Sequence, residues 1–412
     1  MSKVKRIKGF ADMFSPESDT FTFMETVARD VFGRFGYKEL RTPVIERTEL
    51  FKRSIGDETD VVQKEMYTFD DRKGRSLTMR PEATAGVMRA YIEGNVNASE
   101  QVSKLFTFGP MFRYERPQKG RMRQFHQINC ECLGPDEPHA DAEVILMLMT
   151  FLTKIGLKEL VLEVNSLGCR ECRPKYNEAL RTFLANLNKE ELCEDCRRRM
   201  DTNPLRVLDC KVPACKALTE NAPTIIEHTC DECRIHHDKV LSTLRAADVP
   251  FIQNDRLVRG LDYYNRTTFE VVSNAIGSQS SVAGGGRYDG LIKQLGGADV
   301  PGIGFACGME RLALMLGERE VEQPDFYIAV LDENGLEDGL MLAQTLRLAG
   351  KKGDVSFASK SMKAQMRQAG KKGVRKALIL GGDELAASTV VVKDMETGEQ
   401  ITVSQSELIE HI

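Results

Sequence analysis

No apolar run in this 412-residue chain approaches the roughly 18 to 20 residues that a membrane-spanning helix needs. The first ten residues, MSKVKRIKGF, are basic but lead into no apolar segment of the secretory kind, so a cytoplasmic protein is expected. Low-complexity tracts are also missing. With 42% hydrophobic and 29% charged residues the composition is that of a globular chain. Nor is there an excess of positive charge, because 57 Lys and Arg stand against 61 Asp and Glu, a net charge of -4. A nucleic-acid partner would therefore have to be drawn by local basic patches. Neither a dinucleotide-binding glycine fingerprint nor a Walker phosphate loop occurs. In a cytosolic setting the eleven cysteines are expected as reduced thiols or metal ligands rather than disulfides.

What is present divides into segments, and the length favours two or three domains. Ser15-Pro16-Glu17 reads as a helix start, followed by Val27, Val31 and Phe35 at helical spacing before Gly36. YKELRTPVIE reads as a strand whose Pro43 cannot donate a ladder bond, which predicts an edge or an interface. A helix is predicted from about Pro81, burying Val87, Met88, Tyr91 and Ile92 and ending at Gly94. KLFTFGPMFRYE and RQFHQINCECLG form a long antiparallel hairpin around the basic loop RPQKGRMR. From about Ser166 to Val249 the chain turns charged, helix-prone and cysteine-rich, as an insertion would. Strand patterns then resume through LVRGLDYYNRTTFEVV, where two strand-like flanks enclose what looks like a buried turn crowded with polar side chains. AGGGRYDGLIKQLGG and GIGFACGMERLALML each place glycines before a helix. After a polar linker at GEREVEQPD, the strands FYIAVL, DVSFAS, KALILG and STVVVKD alternate with helical patterns, predicting a separate α/β domain.

Three constellations carry chemistry. The hairpin places Arg113, Arg116, Lys119, Arg121 and Arg123 within eleven residues against Glu115 alone. Arg113 alternates with Phe112 and Tyr114 on the strand itself, where a cation is unfavourable unless it meets a ligand or partner charge. Phosphate suits it, since the guanidinium fork grips two oxygens. Arg80 and Glu82 flank a proline at a helix start, where the bland reading of the acid is a dipole complement. Gln127 and Glu131 lie four residues apart on one strand face, able to hydrogen-bond a small polar molecule, with His126 pointing the other way. In GIGFACGMERL, Gly302, Gly304 and Gly308 permit close approach and Arg311 falls in the first helical turn.

Taken together, these motifs resemble the histidyl-tRNA synthetase family of class II aminoacyl-tRNA synthetases over nearly the whole chain. KELRTPVIE corresponds to motif 1, FGPMFRYERPQKGRMRQFHQ to motif 2 and GIGFACGMERLALML to motif 3, while LVRGLDYYNRTTFE and AGGGRYDGL are the signatures that select histidine. The resemblance implies an α+β fold: a six-stranded antiparallel sheet flanked by helices (about 1–320) with the helical insertion (about 166–249), then an α/β anticodon-binding domain (324–412). It implies a homodimer through motif 1, and L-histidine, ATP with Mg2+, and tRNA(His) as substrates. Arg113 would grip the α-phosphate, with Arg121 near the outer phosphates and Arg311 stacked on adenine, and Glu115 would also belong to the ATP site. Arg259 would stabilise charge at the reacting phosphate, as a metal ion does in other class II enzymes. Glu82, Thr84 and Gln127 would hold the amino end of histidine, and Glu131 and Tyr264 the imidazole nitrogens, with Tyr263 and Tyr288 lining the pocket. Arg116, Gln118 and Arg123 would meet tRNA. Ala83 stands where the family often has glycine.

The insertion departs most from the family. Cys169 and Cys172 are followed after twenty residues by Cys193 and Cys196, and Cys210 and Cys215 precede Cys230 and Cys233, a spacing that fits two four-thiolate zinc sites, with one or both expected. Ordinary reduced cysteines, other pairings, or ligation by His228, His236 or His237 fit it as well.

Overall fold

The computed structural model describes residues 3–57, 59–275, 281–317 and 322–412. The chain divides into two compact units, 1–319 and 320–412. Of the polar linker read at 317–325, residues 318–321 lie outside the described set.

The strands of the first unit are β1 (Lys38–Glu39), β2 (Ile45–Arg47), β3 (Tyr67–Asp70), β4 (Ser76–Met79), β5 (Ser103–Phe112), β6 (Gln124–Leu133), β7 (Leu160–Ser166), β8 (Ile252–Gln253), β9 (Asn265–Ser273), β10 (Ser281–Arg287) and β11 (Gly302–Gly308). Eight of them form one sheet in the order β1-β5-β6-β11-β10-β9-β7-β8. Its six central strands are antiparallel throughout, and the two-residue β1 and β8 add parallel edges. The six-stranded antiparallel sheet implied by the resemblance is thus present, with a short strand added at each side.

Alternation decides what each face of this sheet does. On β11, Ile303, Phe305 and Cys307 enter the core, while the alternate positions are Gly302, Gly304, Ala306 and Gly308. The core face is covered by the helices Glu17–Arg34 and Pro138–Lys154. Phe32 sits at its centre, with ring centroids 5.5 Å from Phe106, 5.4 Å from Phe151 and 6.0 Å from Phe305. The opposite face, stripped of bulk along β11, is the floor of a cleft.

Three local expectations change. YKELRTPVIE is two strands: β1 stops at Glu39, and β2 pairs with β4 in a separate three-stranded sheet. Between them the Thr42 carbonyl and hydroxyl accept from Arg80 Nη1 at 3.1 and 2.9 Å, so the backbone around Pro43 is satisfied by a side chain instead of a ladder. The helix expected at Pro81 begins at Thr84, because Glu82 lies just outside it and accepts from the amides of Thr84 and Ala85, each at 2.8 Å. Finally, LVRGLDYYNRTTFEVV is no hairpin. β7 lies between β8 and β9, and the chain from Asn254 to Tyr264 crosses as an irregular loop.

In the second unit, β12 (Phe326–Val330), β13 (Gly353–Val355), β14 (Lys376–Leu380), β15 (Thr389–Asp394) and β16 (Gln400–Ser404) form a sheet ordered β13-β12-β14-β15-β16. Every residue of β12 is buried, since Phe326, Ile328 and Val330 enter one core cluster while Tyr327 and Ala329 enter another. DVSFAS is a strand only to Val355, and Phe357 beyond it is 83% exposed. β16 escaped the sequence reading because its first residues are exposed on a polar edge.

Candidate active site

The cleft has a volume of about 390 Å³. Every residue that the resemblance assigns to ATP or to histidine lines it: Glu82, Thr84, Arg113, Glu115, Arg121, Gln127, Glu131, Arg259, Tyr263, Tyr264, Tyr288 and Arg311. They come from the helix at Thr84, the β5-β6 hairpin, the loop before β9, the end of β10 and the helix after β11, so only the folded sheet brings them together.

At one end the cations gather. Arg113 Nε donates to the Pro81 carbonyl at 2.9 Å, which aims its remaining nitrogens into the cleft. Arg121 pairs with Glu115 at 2.9 Å. Arg311 Nη1 donates to the Ser281 carbonyl at 2.6 Å. Arg259 pairs with Glu270 at 3.2 Å and lies 5.6 Å from the centroid of the Tyr264 ring. Gly284 makes room for it, because a Cβ there would stand 2.4 Å from Arg259 Nη1. Such an array of arginines in a partly enclosed site is built for a polyphosphate.

At the other end lies a polar pocket walled by aromatics. Glu131, 2% exposed, accepts from Thr84 Oγ1 at 2.7 Å and from the Tyr288 hydroxyl. Burial raises its carboxyl to about 8, although the hydroxyls of Tyr288 and Thr84 favour the ionised form. The Tyr263 ring packs against Tyr264 at 4.6 Å and against Tyr288 at 5.8 Å. It is therefore Tyr288, expected only as a wall, that holds Glu131. Gly304 is required here, since a Cβ would meet Glu131 Oε2 at 2.0 Å and the Cys130 carbonyl at 2.3 Å. The glycines of GIGFACG thus clear the cleft floor from within β11 rather than turning the chain around a phosphate. Burial also pushes the Glu82 carboxyl up, against the two amides it caps.

The three residues assigned to tRNA lie in the hairpin loop outside this pocket. Arg116 and Gln118 are exposed. Arg123 is engaged within the hairpin, lying 3.8 Å from the centroid of the Tyr114 ring and donating to the Glu115 carbonyl at 3.3 Å. His126 is held by Glu310 at 2.9 Å, as its orientation away from the site implies.

Several cleft residues were not singled out from sequence. Asn129, between Gln127 and Glu131 on the same face of β6, is 1% exposed, and its Nδ2 has no partner. The period-two pattern that selected its neighbours also contained it. Glu65 and Arg206 come from separate segments with no local signal, as does Glu270, which meets the site only through its pair with Arg259.

The eight cysteines of the insertion do not group in chain order as their spacing suggested but form two nested sets: Cys169, Cys172, Cys230 and Cys233, and Cys193, Cys196, Cys210 and Cys215. Within each set all sulfurs lie within 4.8 Å of one another. Zn–S bonds of about 2.3 Å place tetrahedral sulfurs about 3.8 Å apart. The pairs 169/172, 172/233 and 193/210 stand at 3.5, 3.9 and 3.8 Å. The backbone amides of Cys230 and Cys193 donate to Cys172 Sγ and Cys215 Sγ at 3.1 and 3.2 Å, the arrangement that stabilises thiolate charge. The donor set therefore fits zinc. His236 is occupied elsewhere, bonded to Asp141 at 2.7 Å.

Comparison with known proteins agrees with this geometry. The family model for histidyl-tRNA synthetase matches residues 9–312, and that for the anticodon binding domain matches 325–412. The histidine–tRNA ligase of Oleidesulfovibrio alaskensis is 74% identical over 407 residues, 98% of each chain. That of Nitratidesulfovibrio vulgaris is 70% identical over 405 residues, 98% of this chain and 97% of its own. The crystal structure of apo Staphylococcus aureus histidyl-tRNA synthetase superposes with a TM-score of 0.82 at 35% identity, covering 100% of this chain and 99% of that one. A chain described as an ATP phosphoribosyltransferase regulatory subunit/histidyl-tRNA synthetase, from Bacillus halodurans, shares the fold at 17% identity with a TM-score of 0.67, covering 92% of this chain and 98% of its own. This chain belongs to the histidyl-tRNA synthetase family, the class II ligases that activate L-histidine with ATP and transfer it to tRNA(His).

Proposed function

We propose that the cleft forms histidyl-adenylate with Arg113 and Arg259 as its two catalytic cations. The observation that carries this is that both arginines open into the same cavity as the Glu131 pocket. A histidine carboxylate oxygen attacks the α-phosphorus, the bond to the bridging oxygen breaks, and pyrophosphate leaves with the bonding pair. Charge grows on the phosphate oxygens during this displacement, and guanidinium groups already in place stabilise it without rearrangement. Glu131, Tyr263, Tyr264 and Tyr288 hold the imidazole, while Glu82, Thr84 and Gln127 hold the amino end, which orients the carboxylate for attack. The terminal ribose of tRNA then takes the histidyl group and releases AMP, with Arg116 and Gln118 at the hairpin tip facing the nucleic acid. A pocket that must hydrogen-bond both ring nitrogens rejects apolar analogues by about 10⁴-fold or more, so it needs no editing site.

Glu65 and Glu115 are the carboxylates that would face Mg2+ brought with ATP, which would supply neutralisation of phosphate charge. Glu65 is raised by burial and then by the neighbouring charge of Glu115, a repulsion that a cation there would relieve. The two cysteine sets hold one structural zinc each. Motif 1 serves a homodimer interface, a reading supported by Ile45 on β2 and Phe69 on β3, 46% and 44% exposed. No helix among the described residues is long and apolar enough to cross a membrane, in keeping with work in the cytoplasm.

The alternative is a non-catalytic regulatory relative of the kind named for Bacillus halodurans. Retention of Arg113, Arg259 and Arg311 in one cleft argues against it. Histidine-dependent pyrophosphate–ATP exchange decides. It should be present in the wild type and fall at least about 100-fold in Arg113→Ala and Arg259→Ala with the fold intact. Absence of exchange in the wild type would establish the regulatory reading.

A further inference from the structure

The loop that carries Arg259, Tyr263 and Tyr264 has no ladder partner of its own between β8 and β9, and the insertion supplies its anchors. Arg173, next to Cys172, donates from Nη2 to the Tyr264 carbonyl and from Nη1 to the Asp262 carbonyl at 3.4 Å. Arg206, between Cys196 and Cys210, donates to the Arg259 carbonyl at 3.2 Å. Asn203 Nδ2 donates to Asp262 Oδ1 at 3.0 Å. Gly168, next to Cys169, accepts from the Arg266 amide at 2.8 Å. Each of these contacts starts in the insertion, close in sequence to a sulfur set.

Arg173 stands on the helix Cys172–Ala185, which buries Tyr176, Leu180 and Leu184, whereas the elements that bear Asn203 and Arg206 have little core. The helix Glu194–Thr202 buries only Cys196 and Met200, and Leu205–Leu208 is a single turn. Helices this short do not persist alone in water. A four-thiolate metal site would hold them, because its ligand bonds replace the missing apolar contacts.

We propose that the two thiolate sites set the affinity for histidine, with Arg173 and Arg206 as positioning residues that fix the backbone under Arg259, Tyr263 and Tyr264. The inference rests on the zinc reading for the cages, while its arginine half stands on hydrogen bonds alone. The mechanism is simple: a carbonyl held by a charged donor cannot swing, and the side chains on either side of it keep their aim. The residues assigned to ATP, Arg113 and Arg121 in the β5-β6 hairpin loop and Arg311 on the helix after β11, lie outside this tether.

The test uses the full-length protein purified without added metal. Metal content is read by elemental analysis, and the KM values for histidine and ATP by pyrophosphate exchange. Zinc at two ions per chain is expected, matching the two sets. Arg173→Gln, which loses the charged donor, should raise the histidine KM about tenfold and leave the ATP KM within about twofold. Arg173→Lys, which keeps a cation near the same carbonyls, should recover part of the loss. Stripping zinc with a chelator should reproduce the histidine KM rise, and restoring zinc should reverse it. Purified, active protein free of metal overturns the zinc reading, and the arginine variants then decide the tether separately. Zinc present with an unchanged histidine KM in Arg173→Gln, or with equal rises for histidine and ATP, overturns the positioning role.

Discussion

Arg259 Nη1 donates to Glu270 Oε2 at 3.2 Å, joining the loop before β9 to the strand itself. The carboxylate steers one edge of the guanidinium and leaves Nε, buried without a partner, turned toward the cleft. Replacing Arg259 by Lys removes the planar fork and should lower exchange by roughly 100- to 1000-fold. Glu270→Gln keeps an acceptor but weakens the pairing, so a loss of about tenfold in kcat is expected, with the ATP KM little changed. Full activity in Glu270→Gln would show that the loop aims Arg259 unaided.

Glu131 makes both stability and binding depend on pH. Burial lifts its carboxyl from 4.5 to about 8, so the folded protein keeps a proton that the unfolded chain releases. Stability from this group is complete below the ordinary carboxylate range and is lost as pH rises from 4.5 through about 8. Glu131→Gln, which cannot titrate, should gain thermal stability relative to wild type as pH rises across that window, while losing histidine-dependent exchange. A stability difference that is flat with pH removes Glu131 from this account.

Asn129 offers an amide that no described residue receives. A buried donor facing a cleft is most simply satisfied by the ligand. Asn129→Ala should raise the histidine KM about three- to tenfold without lowering the unfolding midpoint, since no internal bond is lost. A lower midpoint with an unchanged KM would assign Asn129 to the fold instead.

The hairpin arginines should separate by step. Arg116→Ala removes an exposed cation and should weaken aminoacylation while sparing adenylate formation. The slope of log affinity for tRNA against log salt should fall by about one unit. Arg123→Ala removes packing on Tyr114 and should lower both steps together. Matching losses in both variants would place Arg116 with ATP.

Asp141 binds Arg287 and His236 in a fully enclosed trio, with Arg287 and Asp141 both at 0% exposure. This ties the AGGGRYD signature to the helix Pro138–Lys154 and to the helix Asp231–Ala246 that follows Cys230. Asp141→Asn strands the guanidinium and should cost about 3–5 kcal/mol in urea unfolding. A loss under about 1 kcal/mol would mean that Asp289 and the carbonyls near Arg287 suffice.

Much of the site was legible because strand periodicity is local. Gln127 and Glu131 declared a shared face two residues at a time, and Arg113 declared itself by standing among apolar neighbours. Asn129 obeyed the same rule and was passed over only because an amide in a strand carries less penalty than a charge. Glu270 and Arg206 had no such signal, since their value lies in what they touch across the fold. The turn expected inside LVRGLDYYNRTTFEVV failed for a related reason. Strand-like flanks say nothing of a third strand between them, and β7 takes that place.

The sequence by itself determined the family, the class II motifs, the two-part organisation, and the identity of nearly every side chain that meets in the cleft. Tertiary structure alone decided that Glu131 is held by Tyr288, that Glu82 caps a helix, and that the cysteine doublets nest, with the outer pairs 169/172 and 230/233 enclosing the inner four. Spacing cannot choose between such pairings. Closing a loop of some sixty residues rather than twenty differs by only about 1 kcal/mol in chain entropy, far less than the packing around the sulfurs contributes. Local pattern names the groups, and long-range packing chooses their partners.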